Sequence, residues 1–126
     1  MDKPRVFKTK WFQRFARKEK IEDAALLEAV AHAEQGQIDA NLGGGVIKQR
    51  ITRTGRGRSG AFRTIILFRQ GDLAVCMYGF SKSGQANIRA DEEKAFKEAA
   101  KHVLALTEQQ LAELIREGEV VEVKKP

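Results

Sequence analysis

Apolar positions change their period along the chain, and each change marks an element. Alternation from Arg5 to Lys8 suits a short strand, after which Trp11, Phe12, Phe15 and Ala16 recur at helical spacing. The stretch "DAALLEAVAHAEQ", Asp23 to Gln35, sets Leu26, Leu27, Val30 and Ala31 on one face and stops at Gly36, so the two segments predict a helical hairpin. "QIDANLGGGV" predicts a loop. In "VIKQRI" the period becomes two: Val46, Lys48, Arg50 and Thr52 share one face, Ile47, Gln49 and Ile51 the other. "TRTGRGRSG" has the composition of a hairpin loop, "AFRTIILFR" supplies a second strand rich in β-branched and aromatic residues, and Gly71-Asp72 turns the chain into a third, "LAVCMYGF". The centre therefore predicts an antiparallel meander.

Helical spacing returns after "SKSGQAN". "DEEKAFKEAAKHVLAL" predicts a helix capped at Asp91 or a near neighbour, with Ala95, Phe96, Ala99, Val103 and Leu104 as its apolar stripe. "TEQQLAELIREG" predicts another, with Thr107 and Gln110 at capping-box spacing and Gly118 as its stop, and "EVVEV" a final short strand. The expected fold class is α+β: an N-terminal helical hairpin packed on an antiparallel sheet, with C-terminal helices. A chain of 126 residues, 42% hydrophobic, carries enough apolar surface for one core and too little for two, so a single domain over 1–126 is expected, with its core at about 5–105 and 106–126 as C-terminal helix and tail.

Charge adds what periodicity leaves out. The net charge of +6 gathers in "KPRVFKTKWFQRFARKEK" and in residues 46–65, where Lys48, Arg50, Arg53, Arg56, Arg58 and Arg63 occur without one acidic residue. One basic face of this kind favours nucleic acid, ribosome or acidic protein as partner over a neutral metabolite. Cys76, the lone cysteine, lies in an apolar run, which excludes a disulfide framework, reads as a buried thiol and suits a reducing cytoplasm. No apolar stretch approaches the roughly 18 residues of a membrane span, and the charged N-terminus lacks the apolar region of a signal peptide, so a cytoplasmic protein without a membrane partner is expected.

Candidate chemistry is cationic. His32 and His102 read as ordinary helix residues, and Gly43 to Gly45 lead into a strand rather than a helix, which suits a turn better than a phosphate cradle. There is no Cys/His cluster at metal-ligand spacing and no nucleophile elbow, so neither a metal nor a cofactor is expected. Lys48 and Arg50 share a strand face, and Arg63 opens the strand that a hairpin lays alongside, so three cations can converge on one phosphate. Cations hold a phosphodiester and stabilise charge developing on its oxygens, and RNA supplies its own nucleophile in the 2′-OH. The competing reading is a basic sheet face that merely aids solubility.

From about Val6 to Leu104 the chain resembles the RelE/ParE superfamily of bacterial toxins, in particular its RelE-like and HigB-like branch. The resemblance rests on "GRGRSGAFRTIILF", on "VIKQRI" before it and on "YGFSKSGQANI" after it, within the same order of elements. It implies a small α/β protein of a type II toxin-antitoxin system that enters the ribosomal A site, cuts mRNA without metal and is held inactive by a cognate antitoxin. By motif position it implies that Lys48 abstracts a proton beside Arg50 and that Arg63 stabilises the transition state. Arg53, Arg56 and Arg58 then grip RNA backbone. Where several RelE-like toxins place a tyrosine or histidine near the start of the last helix, this chain has Lys82, Asn87 and Arg89. Lys82 becomes the candidate for the phosphate or leaving group, and Asn87 and Arg89 for RNA contacts. Residues 106–126 resemble the family less and are expected to cover the sheet or help bind an antitoxin helix. Two alternatives follow from the same architecture, a ParE-like inhibitor of DNA gyrase that cuts no RNA and an inactive RNA- or antitoxin-binding module.

Overall fold

The computed structural model describes residues 4–52, 61–81 and 87–124, so Arg53, Arg56, Arg58 and Lys82 lie outside the described residues. The chain runs β1 (Arg5–Thr9), α1 (Lys10–Glu19), α2 (Asp23–Glu34), β2 (Ala40–Gly43), β3 (Val46–Thr52), β4 (Ala61–Arg69), β5 (Leu73–Ser81), α3 (Ala90–Val103), α4 (Glu108–Arg116) and β6 (Val120–Val123). One six-stranded sheet has the order β2-β3-β4-β5-β1-β6. No helix among the described residues is long and apolar enough to cross a membrane.

The meander β3-β4-β5 is antiparallel, as alternation predicts. Two expectations need correction. The sheet is mixed rather than antiparallel throughout, because β1 lies parallel to β5, from Arg5 opposite Leu73 to Lys8 opposite Cys76. The helical hairpin that follows β1 is a connection long enough to permit a parallel neighbour. The segment read as a loop holds β2, which pairs with β3 and turns back through Gly43, Gly44 and Gly45, all at positive φ. Four residues ending in glycine carry no readable period; β2 forms because the outer edge of β3 offers backbone groups that need partners.

Helices cover both faces of the sheet, which is why its central strands read as nearly continuous apolar runs. On one face Phe12 and Ala16 of α1 and Leu26, Ala29, Val30 and Ala33 of α2 pack on Ile47, Ile51, Phe62, Ile66 and Cys76. Ala31, expected inward, is exposed; in a helix so rich in alanine the sequence leaves the inward face undetermined. On the other face Phe96 and Ala100 of α3, Leu104 at its C-cap and Leu111 of α4 pack on Val46, Ile65, Leu67 and Val75. Ala95 lies outside that stripe and is exposed.

Thr107 Oγ1 accepts the Gln110 N–H at 3.1 Å while Gln110 Oε1 accepts the Thr107 N–H at 2.9 Å, the reciprocal cap that the spacing predicts. The cap position of α3 is Arg89, a near neighbour of Asp91, with Glu92 Oε1 accepting the Arg89 N–H at 2.8 Å. Leu111, Val120 and Val123 are buried, so the C-terminal segment does cover the sheet. The α3/α4 layer leaves Lys48 and Arg63 partly exposed and Arg50 exposed.

Candidate active site

The β3-β4 register sets Arg50 directly opposite Arg63, with Lys48 two residues along β3 on the same face. The Arg50 N–H donates outward to Asp39 Oδ2, so this pair makes no ladder bonds with β4 and belongs to the closer type, with Cα atoms about 4.5 Å apart. Like charges directly opposite each other weaken a sheet. Among the described residues no carboxylate pairs with the side chains of Lys48, Arg50 or Arg63. The three cations expected to converge are therefore neighbours, and the neighbouring carboxylate, Asp39, is bound to the Arg50 backbone N–H rather than to a cationic side chain.

Asn87 joins them. Its Oδ1 accepts from Lys48 Nζ at 3.2 Å and from the Ile88 N–H at 2.9 Å, which ties the entry to α3 against β3. Arg89 turns instead to its own helix, with Nε 3.1 Å from Asp91 Oδ1 and 3.9 Å from Glu92 Oε1. The hydrogen bond to Asp91 raises the Arg89 pKa and holds the Asp91 carboxyl below its ordinary range. Arg53 follows the last residue of β3, and Lys82 the last of β5. Those strands end at the same end of the sheet, since Thr52 pairs with Ala61 and Ser81 with Phe62.

Sequence reasoning missed the aromatic side of this site. Strict alternation puts Tyr78 in phase with Ala74 and Cys76, under α1 and α2. The β4-β5 register instead passes from Ile66 opposite Cys76 to Ile65 opposite Tyr78, which leaves Met77 as an extra residue. A one-residue bulge reverses the facing of everything beyond it. Tyr78 and Phe80 thereby join the Arg63 face, and Phe80 is the cross-strand partner of Arg63. The Tyr78 ring centroid lies 4.7 Å from Trp11, 5.5 Å from Phe96 and 6.2 Å from Phe80. Burial raises the Tyr78 pKa, the Glu92 carboxylate raises it further, and Arg89 works in the other direction. Trp11, one of the apolar residues at helical spacing in α1, is 42% exposed, whereas its neighbour Phe12 is fully buried. The residue whose sequence could have signalled this is Gly79, where a Cβ would meet Phe15 Cε2 at 2.4 Å, so that α1 rests on this end of β5.

A cavity of about 510 Å³ lies between α2 and β3, bordered by Glu28, His32, Asp39 and Gln49. It also touches Arg50 but reaches neither Lys48 nor Arg63, so it does not bring the three cations together. Among the described residues no three His, Cys, Asp or Glu side chains come together as a metal site.

The sequence model of one protein family, the RelE toxin of the RelE / RelB toxin-antitoxin system, matches residues 4–123. That span reaches past Leu104 to include α4 and β6. No curated protein and no solved structure matches the chain.

Proposed function

The chain belongs to the RelE family of toxin-antitoxin toxins, and from that premise we propose that it is a cytoplasmic, ribosome-dependent and metal-independent mRNA endonuclease of the RelE-like and HigB-like branch, restrained by a cognate antitoxin. The observation that carries this reading is the opposition of Arg50 and Arg63 beside Lys48 without a carboxylate partner among the described residues. A sheet gains nothing in stability from that arrangement, whereas a phosphodiester gains two guanidinium forks.

The reaction balances without a cofactor. The 2′-OH loses its proton to Lys48 acting as a neutral amine, which becomes an ammonium, and its oxygen attacks the adjacent phosphorus. Arg50 and Arg63 hold the non-bridging oxygens as negative charge grows on them. The bond from phosphorus to the 5′-oxygen breaks, that oxygen takes a proton from Lys82, and the products end in a 2′,3′-cyclic phosphate and a 5′-hydroxyl. Asn87 steadies the Lys48 ammonium through their hydrogen bond. Arg53, Arg56 and Arg58, with Arg89, contribute backbone affinity that falls steeply with salt.

End-group analysis tests the chemistry. A message carrying a 2′-O-methyl group at the cut nucleotide should resist cleavage, and the unmodified product should carry the cyclic phosphate; cutting of the methylated message would exclude this reaction. Arg63→Ala should lower kcat by about 100-fold with little change in KM, as expected for a donor whose bond forms in the transition state. Arg56→Ala should chiefly raise KM and flatten the salt dependence. Equal losses of kcat and affinity in both variants would remove the division of roles.

A further inference from the structure

Trp11 and Val121 are the large apolar side chains left exposed among the described residues. Trp11 is also held firmly. Its ring stacks on Phe15 at 5.3 Å and 16°, and lies 4.7 Å from Tyr78. Phe15 is in turn set edge-on against buried Phe62 at 5.7 Å and pressed onto Gly79. An indole braced from beneath and 42% exposed is a rigid flat surface whose ordering has already been met by folding.

Its position gives the surface a ligand. Along the face beyond the bulge, Trp11 touches Tyr78, Tyr78 neighbours Phe80, and Phe80 sits across from Arg63. A flat apolar ring therefore stands at one end of a short aromatic row, and cations with no carboxylate partner among the described residues stand at the other. Single-stranded nucleic acid presents that combination, with phosphates along its backbone and a π-face on every base.

We propose that Trp11, braced by Phe15 and Tyr78, is a stacking platform for a nucleobase of the RNA strand whose phosphate lies on Lys48, Arg50 and Arg63. This rests on the RNA-cutting reading and adds a base-binding position to it. Because every base has a π-face, the platform contributes grip and register rather than base choice.

Trp11 is the only tryptophan, so its emission reports the platform directly. Purified protein would be titrated with a 2′-O-methyl oligoadenylate, which keeps the bases but has no free 2′-OH, and with inorganic polyphosphate at the same salt. The expected result is quenching by the oligoadenylate and none by polyphosphate, with Trp11→Ala weakening oligoadenylate binding by about tenfold in fluorescence anisotropy and Trp11→Phe restoring most of it. Equal responses to the two polyanions, binding without a change in emission, or no binding by the folded protein would each overturn the platform. So would a change in emission seen only with the antitoxin, which would assign the surface to that partner.

Cleavage by the wild-type protein on programmed ribosomes separates this inference from the one beneath it. Cutting without quenching retains the nuclease and removes the platform, while quenching without cutting retains the RNA surface and removes the nuclease.

Discussion

Gln49 lies on the apolar face of β3, 3% exposed, and every polar atom of its amide is engaged. Nε2 donates to Ala29 O at 3.0 Å and to Gln37 O at 3.2 Å, while Oε1 accepts the Asp39 N–H at 2.8 Å. It thus ties α2 and the chain beyond it to the strand that carries Lys48 and Arg50. Gln49→Leu should destabilise the protein by about 2 kcal/mol in urea denaturation, because it leaves the Asp39 N–H without its partner. A change within experimental error would contradict that role. Cys76 gives a second check: burial pushes its thiol up to about 12, so no thiolate forms near neutral pH. Iodoacetamide should label it only through unfolding, at a rate that follows stability; rapid labelling of the native protein would show that the core around it is open. Residue facing in this site was legible where alternation is regular, as for Lys48 and Arg50. It was hidden at Tyr78, where the extra residue Met77 reverses the phase, and at Asn87, whose contact with Lys48 spans 39 positions.

At the scale of elements, periodicity reached nine of the ten among the described residues, because strands and helices with a covered face must repeat their apolar residues. It missed β2, held by the pairing needs of its neighbour, and the parallel placement of β1, which depends on where a long connection returns. The joint between β1 and β6 illustrates a contact that no local pattern announces. Arg5 sets Nε 3.1 Å from Glu122 Oε2 and a terminal nitrogen 3.1 Å from Oε1, with Glu108 at 3.4 Å. The hydrogen bond from Arg5 holds the Glu122 carboxyl below its ordinary range, against the opposing effect of burial. A lowered folded-state value means that this pair contributes stability above the unfolded carboxylate pKa of about 4.3 and loses it as pH falls through the folded value. Glu122→Gln should therefore cost about 0.5–1 kcal/mol near pH 7, and the difference from wild type should vanish at strongly acid pH. A loss of the same size at both would show that packing, not charge, joins the strands.

At the scale of the whole molecule, two helical layers stabilise a sheet and the cations lie where the second layer leaves it exposed. The C-terminal segment belongs to this plan: α4 completes the covering and β6 closes the edge beyond β1, within the span of the family match. The basic face was legible as charge, since residues 46–65 contain no acid to cancel it. The direct opposition of Arg50 and Arg63 required the register. The central claim, that this opposition is a site for cutting mRNA on the ribosome, is tested most directly by primer extension on mRNA incubated with purified protein, with and without programmed ribosomes, for wild type and Arg63→Ala. The account predicts cuts that require ribosomes and fall by about 100-fold in the variant. Undiminished cutting by folded Arg63→Ala, or no cutting by folded wild-type protein, would contradict it, and the latter would direct attention to DNA gyrase as the target.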